Sequence, residues 1–134
     1  MIAAIIEQPA PDPRRILFVD DEPALLMLVA DALTDEGHEV RIAATGVQAL
    51  DLLQSWLPDV ILLDLALPEM SGHEFRERQR ALPEPHRDVP VILVTGAHQQ
   101  DGLVEDLEAS GLLSKPFDLD ALITLVNEVD VPAR

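Results

Sequence analysis

The side chains best able to do chemistry here are Asp20, Asp21 and Glu22, which stand together, and Asp64, Thr95 and Lys115, which stand far apart along the chain. Each group directly follows a short apolar run. Ile16-Leu17-Phe18-Val19 leads into Asp20, Val60-Ile61-Leu62-Leu63 into Asp64, Val91-Ile92-Leu93-Val94 into Thr95, and Leu112-Leu113-Ser114 into Lys115. Carboxylates gathered at the ends of these runs would raise one another's pKa unless a cation offset them. Mg²⁺ suits that task, because it takes oxygen ligands from one or two carboxylates, waters and phosphate oxygens. An ammonium and a hydroxyl beside such a cluster complete a set able to move a phosphoryl group onto a carboxylate. The carboxylate is the nucleophile, and the cations neutralise the phosphoryl oxygens. Singly, these residues are ordinary. An Asp after a strand is commonly a turn residue or helix cap, Asp-Asp-Glu a solvated loop, and Lys before Pro116 a loop. Their joint occurrence, each type at the end of its own run, carries the chemical reading.

The runs must be strands for this to work. The three continuous ones have the character of strands buried on both faces. His38 to Ala44 alternates instead, with Val40 and Ile42 opposite Glu39 and Arg41, which suits a sheet edge. Between the runs the apolar spacing is helical. Leu26, Val29, Ala30 and Leu33 mark a first helix, with Pro23 in its first turn and Gly37 past its end. Val47, Leu50, Leu53 and Leu57 mark a second, Gly72 to Leu82 a third anchored by Phe75, and Leu103, Val104 and Leu107 a fourth. Leu119, Leu122, Ile123 and Val126 mark a fifth, with Asp118 as its N-cap. This (βα)₅ alternation predicts an α/β fold with a doubly wound, open parallel sheet and right-handed crossovers. Ligands of such sheets bind beyond the carboxyl ends of the strands, where the candidate residues fall.

Composition narrows the rest. The chain has 134 residues, enough for one domain, and a net charge of −16. That charge disfavours nucleic acid and anionic membrane surfaces as partners. Aromatics are only 3 % of the residues, so aliphatic side chains must fill the core. Cysteine is absent, which excludes disulfides and thiolate metal sites and fits a cytoplasmic location. No apolar run approaches the roughly 20 residues that span a bilayer. Residues 1–13 end in a Pro-rich stretch and are expected to form a flexible leader, 14–129 the domain, and 130–134 a short tail.

At these motifs the sequence resembles the receiver domains of bacterial response regulators, over about residues 14 to 129. The resemblance rests on Ile16 to Pro23, on Asp64-Leu65-Ala66-Leu67-Pro68-Glu69-Met70-Ser71-Gly72, on Val94-Thr95-Gly96, and on Ser114-Lys115-Pro116-Phe117. It implies a flavodoxin-like sheet of strand order 2-1-3-4-5, Asp64 as phosphoacceptor, and Lys115 and Thr95 reading the phosphoryl group. It also implies Mg²⁺ held by Asp20, Asp21, Asp64 and the Ala66 carbonyl, with Asp20 acting mainly through water. The Lys115–Pro116 peptide is often cis in the family. The implied role is a stand-alone, chemotaxis-type response regulator, not an enzyme but a phosphoacceptor signalling domain that assists its own phosphorylation and dephosphorylation. The implied partners are a histidine kinase or phosphotransfer protein, an unidentified downstream protein and, as a further possibility, a second copy.

Some features depart from the family pattern. Leu112 stands where the family has an aromatic residue coupled to the switch hydroxyl. The interval from Thr95 to Lys115 is short, so the fourth helix or its loops should be trimmed. Ala66 and Ala97 occupy positions that tune phosphate lifetime and are too small to position or exclude a water. These departures keep a second reading open, a pseudo-receiver that binds partners without phosphate. A haloacid dehalogenase-type phosphatase would need an Asp where Ala66 stands, and a dinucleotide site would need a Gly-rich turn in place of Asp20-Asp21-Glu22-Pro23. His38, His73, His86 and His98 match no metal-ligand spacing and are expected at the surface or in loops. Trp56 is expected to pack, and Arg76, Arg78, Arg80 and Arg87 to form a solvated face or a docking spot for an acidic partner.

Overall fold

The continuous apolar runs hydrogen-bond side by side in a parallel sheet, because strands buried on both faces can satisfy their backbone only through one another. In the computed structural model, which describes residues 12–96 and 102–132, the strands are β1 (Arg15–Val19), β2 (Glu39–Ala43), β3 (Val60–Asp64), β4 (Val91–Thr95) and β5 (Gly111–Ser114). Their order is β2-β1-β3-β4-β5, all parallel, with the alternating strand β2 at an edge as expected. The helices are α1 (Pro23–Asp35), α2 (Gly46–Leu53), α3 (Gly72–Arg80), α4 (Leu103–Leu107) and α5 (Leu119–Glu128), with a 3-10 turn at His86–Asp88. The leader expected over residues 1–13 falls almost wholly outside the described residues, as do Ala97 and His98.

Alternation along each strand sorts the core into two layers. Ile16, Phe18, Leu62 and Ile92 face α1 and α5, meeting Leu26, Val29, Leu33, Leu122 and Val126. Leu17, Val19, Ile61, Leu63 and Leu93 face the other side, meeting Ala49, Leu53, Phe75, Leu103 and Leu107. Each fully buried Leu, Ile or Phe contributes about 1.5–3 kcal/mol. The Asp118 carboxylate accepts from the Asp120 N–H at 3.0 Å and caps α5 as expected. Asp118→Ala should lower stability by about 1 kcal/mol, read as a shift in the urea midpoint at constant m-value.

Three local expectations are corrected. In α2 the buried positions are Gly46, Ala49 and Leu53, whereas Val47 is half exposed and Leu57 lies past the helix end. The cause is the close approach of Gly46 to Met70: a Cβ there would lie 2.6 Å from the Met70 sulfur, so the helix seats on its smallest residues. His38 lies in the loop before β2, as expected, but is buried there. Its Nδ1 accepts from the Arg14 backbone N–H at 3.0 Å and its Nε2 lies 2.8 Å from Asn127 Oδ1, joining the start of β1 to α5. The arginines do not form an open basic face: Arg76, Arg80 and Arg87 line one hollow together with Asp88 and Glu108. Arg76 is buried, Arg78 pairs with Glu74, Arg80 with Glu108, and Arg87 with Glu84. Trp56 packs as expected, with its Nε1–H on Glu39 and the Arg41 guanidinium over its ring.

Candidate metal and phosphoryl site

Chain order and strand order reverse between β1 and β3, which creates a crevice at the carboxyl end of the sheet. Asp20 leaves β1 on one side of that crevice, and Asp64 ends β3 on the other. Oxygens of Asp20, Asp21 and Asp64 all lie within 4.8 Å of one another. Asp20 and Asp64 are buried and Asp21 is exposed, so the cluster opens to solvent on one side. Local hydrogen bonds orient two of the carboxylates. Asp20 Oδ1 accepts from the Glu22 N–H at 2.9 Å, and Asp64 Oδ1 from the Ala66 N–H at 3.0 Å.

Lys115 follows β5 directly, through a cis peptide to Pro116. Its Nζ lies 2.7 Å from Asp20 Oδ2 and 3.5 Å from Asp64 Oδ2. Its backbone N–H donates to the Thr95 carbonyl at 2.7 Å, linking the ends of β4 and β5. Thr95 is buried at the end of β4, opposite Ser114 in the ladder. The expected site residues therefore meet at one sheet edge. Lys115 sits closer to Asp20 than to Asp64, a pairing that sequence spacing does not carry.

Burial raises the Asp64 pKa and the Asp20 charge raises it further. The Ala66 N–H and Lys115 act the other way and do not overcome these effects. Burial works against the Lys115 charge as well, but its bonds to Asp20 and the field of Asp64 outweigh it and hold that pKa above the ordinary lysine value. Three carboxylates thus face one ammonium, leaving surplus negative charge. Asp20 Oδ2 is wholly buried and receives no hydrogen bond of good geometry; the Lys115 ammonium, 2.7 Å away, is its counter-charge. A hard oxygen donor set with surplus charge and an under-satisfied buried oxygen fits a divalent cation such as Mg²⁺.

The defining sequence pattern of the response regulator receiver domain matches residues 16–127. This chain belongs to that family. The receiver is 34 % identical over 110 residues to sporulation initiation phosphotransferase F of Bacillus subtilis, an alignment that covers 81 % of this chain and 86 % of that protein. It is 35 % identical over 114 residues to the DNA-binding dual master transcriptional regulator RpaA of Synechocystis, covering 84 % of this chain but 47 % of that protein. Among solved structures, the receiver is similar to chemotaxis protein CheY4 of Vibrio cholerae, with a TM-score of 0.80 at 30 % identity, over 88 % of this chain and 99 % of that one. The flavodoxin-like strand order implied by the resemblance is the one observed.

Two contacts that shape the site escaped the sequence reading. Gly72 opens α3 against the loop after Asp64 so closely that a Cβ would lie 2.8 Å from Leu65 Cα. Met70 is buried against Gly46, which seats the same loop on α2. The glycines were the available signal, since a close backbone approach needs a residue without Cβ. A larger polar hollow of about 450 Å³ lies far from this site, between Arg87, Val89, Ser110 and Asp130, and its arginines are already paired.

A cation bound by the native carboxylates should stabilise the fold by mass action, by about 2.7 kcal/mol at a hundred times its Kd. Thermal unfolding in Mg²⁺ against chelator tests this. The gain should shrink as pH falls through the raised pKa of Asp64, where protons compete with the metal. An unfolding midpoint indifferent to Mg²⁺ would count against the metal site.

Proposed function

We propose that this receiver accepts a phosphoryl group on Asp64, in a Mg²⁺-dependent reaction, from the phosphohistidine of a sensor kinase or phosphotransfer protein. The observation that carries the reading is the convergence of the Asp20, Asp21 and Asp64 oxygens within 4.8 Å, bridged by Lys115. Asp64 Oδ attacks phosphorus, the bond to the donor imidazole breaks, and the imidazole keeps that electron pair. Lys115 bears on the phosphoryl oxygens, and the Thr95 hydroxyl responds to the product. Mg²⁺ on Asp20, Asp21, Asp64 and the Ala66 carbonyl would neutralise charge on the transferring group. Relatives named as a phosphotransferase and as sensor kinase CckA of Brucella abortus support phosphoryl traffic of this kind.

The donor must touch the rim of the site. That rim is apolar on one side: Leu25, Leu28, Phe117 and Leu119 line a groove of about 340 Å³ beside Lys115, and Met27 is exposed next to Leu28. This surface suits the apolar face of a donor helix. The phosphorylated state then passes its signal through a protein contact on α4, β5 and α5, by shifting a pre-existing equilibrium. Amide exchange on that face should change with phosphorylation, and an unchanged face would remove it from consideration.

Intact-protein mass spectrometry after incubation with a small phosphodonor tests the reading. A gain of one phosphoryl group with Mg²⁺, and none without it, is the expected result. No gain in a folded protein would favour the pseudo-receiver, the alternative kept open by Leu112 and by an α4 of five residues.

A further inference from the structure

α4 is too short to hold itself as a helix, and the residues at both its ends, Gly102 and Glu108, adopt left-handed conformations. Its carboxyl end is held from outside. Buried Arg76 on α3 donates Nε–H to the Leu107 carbonyl at 2.8 Å and Nη2–H to the Glu108 carbonyl at 2.9 Å. Its Nη1 donates to Gln79 Oε1 at 2.7 Å, and Gln79 Nε2 donates to the carbonyls of His86 and Val89 ahead of β4. A guanidinium is suited to this place, because the carbonyls ending a helix attract a cation and its fork binds two at once. Apolar residues of similar volume would fill the space without the cost of desolvating a charge. What the guanidinium adds is direction.

The amino end of α3 is clamped as firmly to the phosphoacceptor strand. The Gly72 N–H donates to the Leu65 carbonyl at 3.2 Å, and a Cβ at Gly72 would stand 3.3 Å from the Asp64 carbonyl oxygen. Gly72 and Arg76 are one helical turn apart, about 6 Å along the axis. One rigid turn therefore joins the backbone at Asp64 to the last carbonyls of α4. We infer that Arg76 is a positioning residue that ties α4 to the state of the Asp64 loop, so that a shift of this loop on phosphorylation reaches α4 and β5 through α3. The inference rests on the phosphoacceptor reading. It supplies a route that does not use residue 112, where Leu112 lacks the ring on which the family's switch depends.

The test uses the whole chain with Mg²⁺ and beryllofluoride as a phosphoryl mimic. In the unaltered protein, exchange over residues 103–114 should change when the mimic is added. In Arg76→Met, exchange over 103–108 should rise about tenfold without the mimic, as two charged hydrogen bonds are lost. The mimic-dependent change over 103–114 should vanish, while Mg²⁺-dependent phosphoryl gain at Asp64 persists. Arg76→Lys, which keeps the charge but not the fork, should restore part of the response. A merely structural Arg76 would leave the response to the mimic intact in Arg76→Met, and that result overturns the inference. Should Arg76→Met not fold, the Arg76 Nε–H resonance of the unaltered protein decides: it should shift when the mimic is added, and a fixed resonance overturns the proposal. An unaltered chain that gains no phosphoryl group overturns the phosphoacceptor reading and this inference together, so the two failures are distinguishable.

Discussion

Asp64→Asn is expected to abolish phosphoryl acceptance, by more than about a thousandfold, because an amide cannot replace a carboxylate as nucleophile. The same change should make the metal-free fold more stable at neutral pH. Burial raises the Asp64 pKa, so the folded chain holds that proton more tightly than the unfolded chain does. Stability associated with the protonated group is complete below the unfolded pKa and is lost as pH rises through the folded one. Asn cannot ionise and escapes that loss. In chelator, the urea midpoint of Asp64→Asn should therefore exceed that of the unaltered chain at pH 7, with the gap closing toward low pH. With Mg²⁺ the order should reverse, since the carboxylate gives the cation a charged ligand that the amide lacks. An Asn variant that still gains a phosphoryl group would remove Asp64 from the site. An unaltered chain that is the more stable of the two in chelator at pH 7 would contradict the electrostatic account.

Lys115→Ala should cost about 2–4 kcal/mol in chelator, because it leaves Asp20 and Asp64 buried beside one another without a counter-charge. The lower part of that range is expected, since the lysine side chain is 23 % exposed and the pair is partly solvated. Mg²⁺ should restore much of the loss, because a divalent ion supplies the same offset. Phosphoryl acceptance should persist but fall by about 10- to 100-fold, the scale of removing one charge that bears on a transferring group. Signalling to a partner should be lost. The lysine pKa is raised, so its contribution is constant across neutral pH and fades only under strongly alkaline conditions. Urea titrations of both proteins with and without Mg²⁺ read the effect. Equal stability in chelator would mean that Asp20 Oδ2 is compensated by something other than Lys115.

The chemistry proposed for this receiver and its stability are thus opposed. The buried carboxylates that suit a metal and a phosphoryl group repel one another, and Lys115 is the cation that offsets that repulsion among the described residues. A site of this kind is expected to respond strongly to its ligands, since a bound cation offsets the negative charge that one ammonium leaves over.

The sequence by itself determined the parts that follow from local pattern. Continuous apolar runs of four residues have the character of strands buried on both faces, and their alternation with helical spacing leaves a doubly wound parallel sheet as the natural solution. From that, the residues after each run must meet at one edge, so Asp20, Asp21, Asp64, Thr95 and Lys115 were legible as a group. The tertiary structure alone decided features that depend on approach between elements distant in sequence. Periodicity around α2 pointed to Leu53, which is buried, and to Val47 and Leu57, which are not the seat of the helix; the approach of Gly46 to Met70 turned Gly46 and Ala49 inward with Leu53. His38 and Arg76 read as surface residues because their types are polar. Burial became possible only when Arg14 and Asn127, or the carbonyls of Leu107 and Glu108, arrived from elsewhere in the chain to satisfy them. Lys115 likewise lies nearer Asp20 than Asp64, because the sheet sets the ends of β1 and β5 at a distance that no interval along the chain encodes.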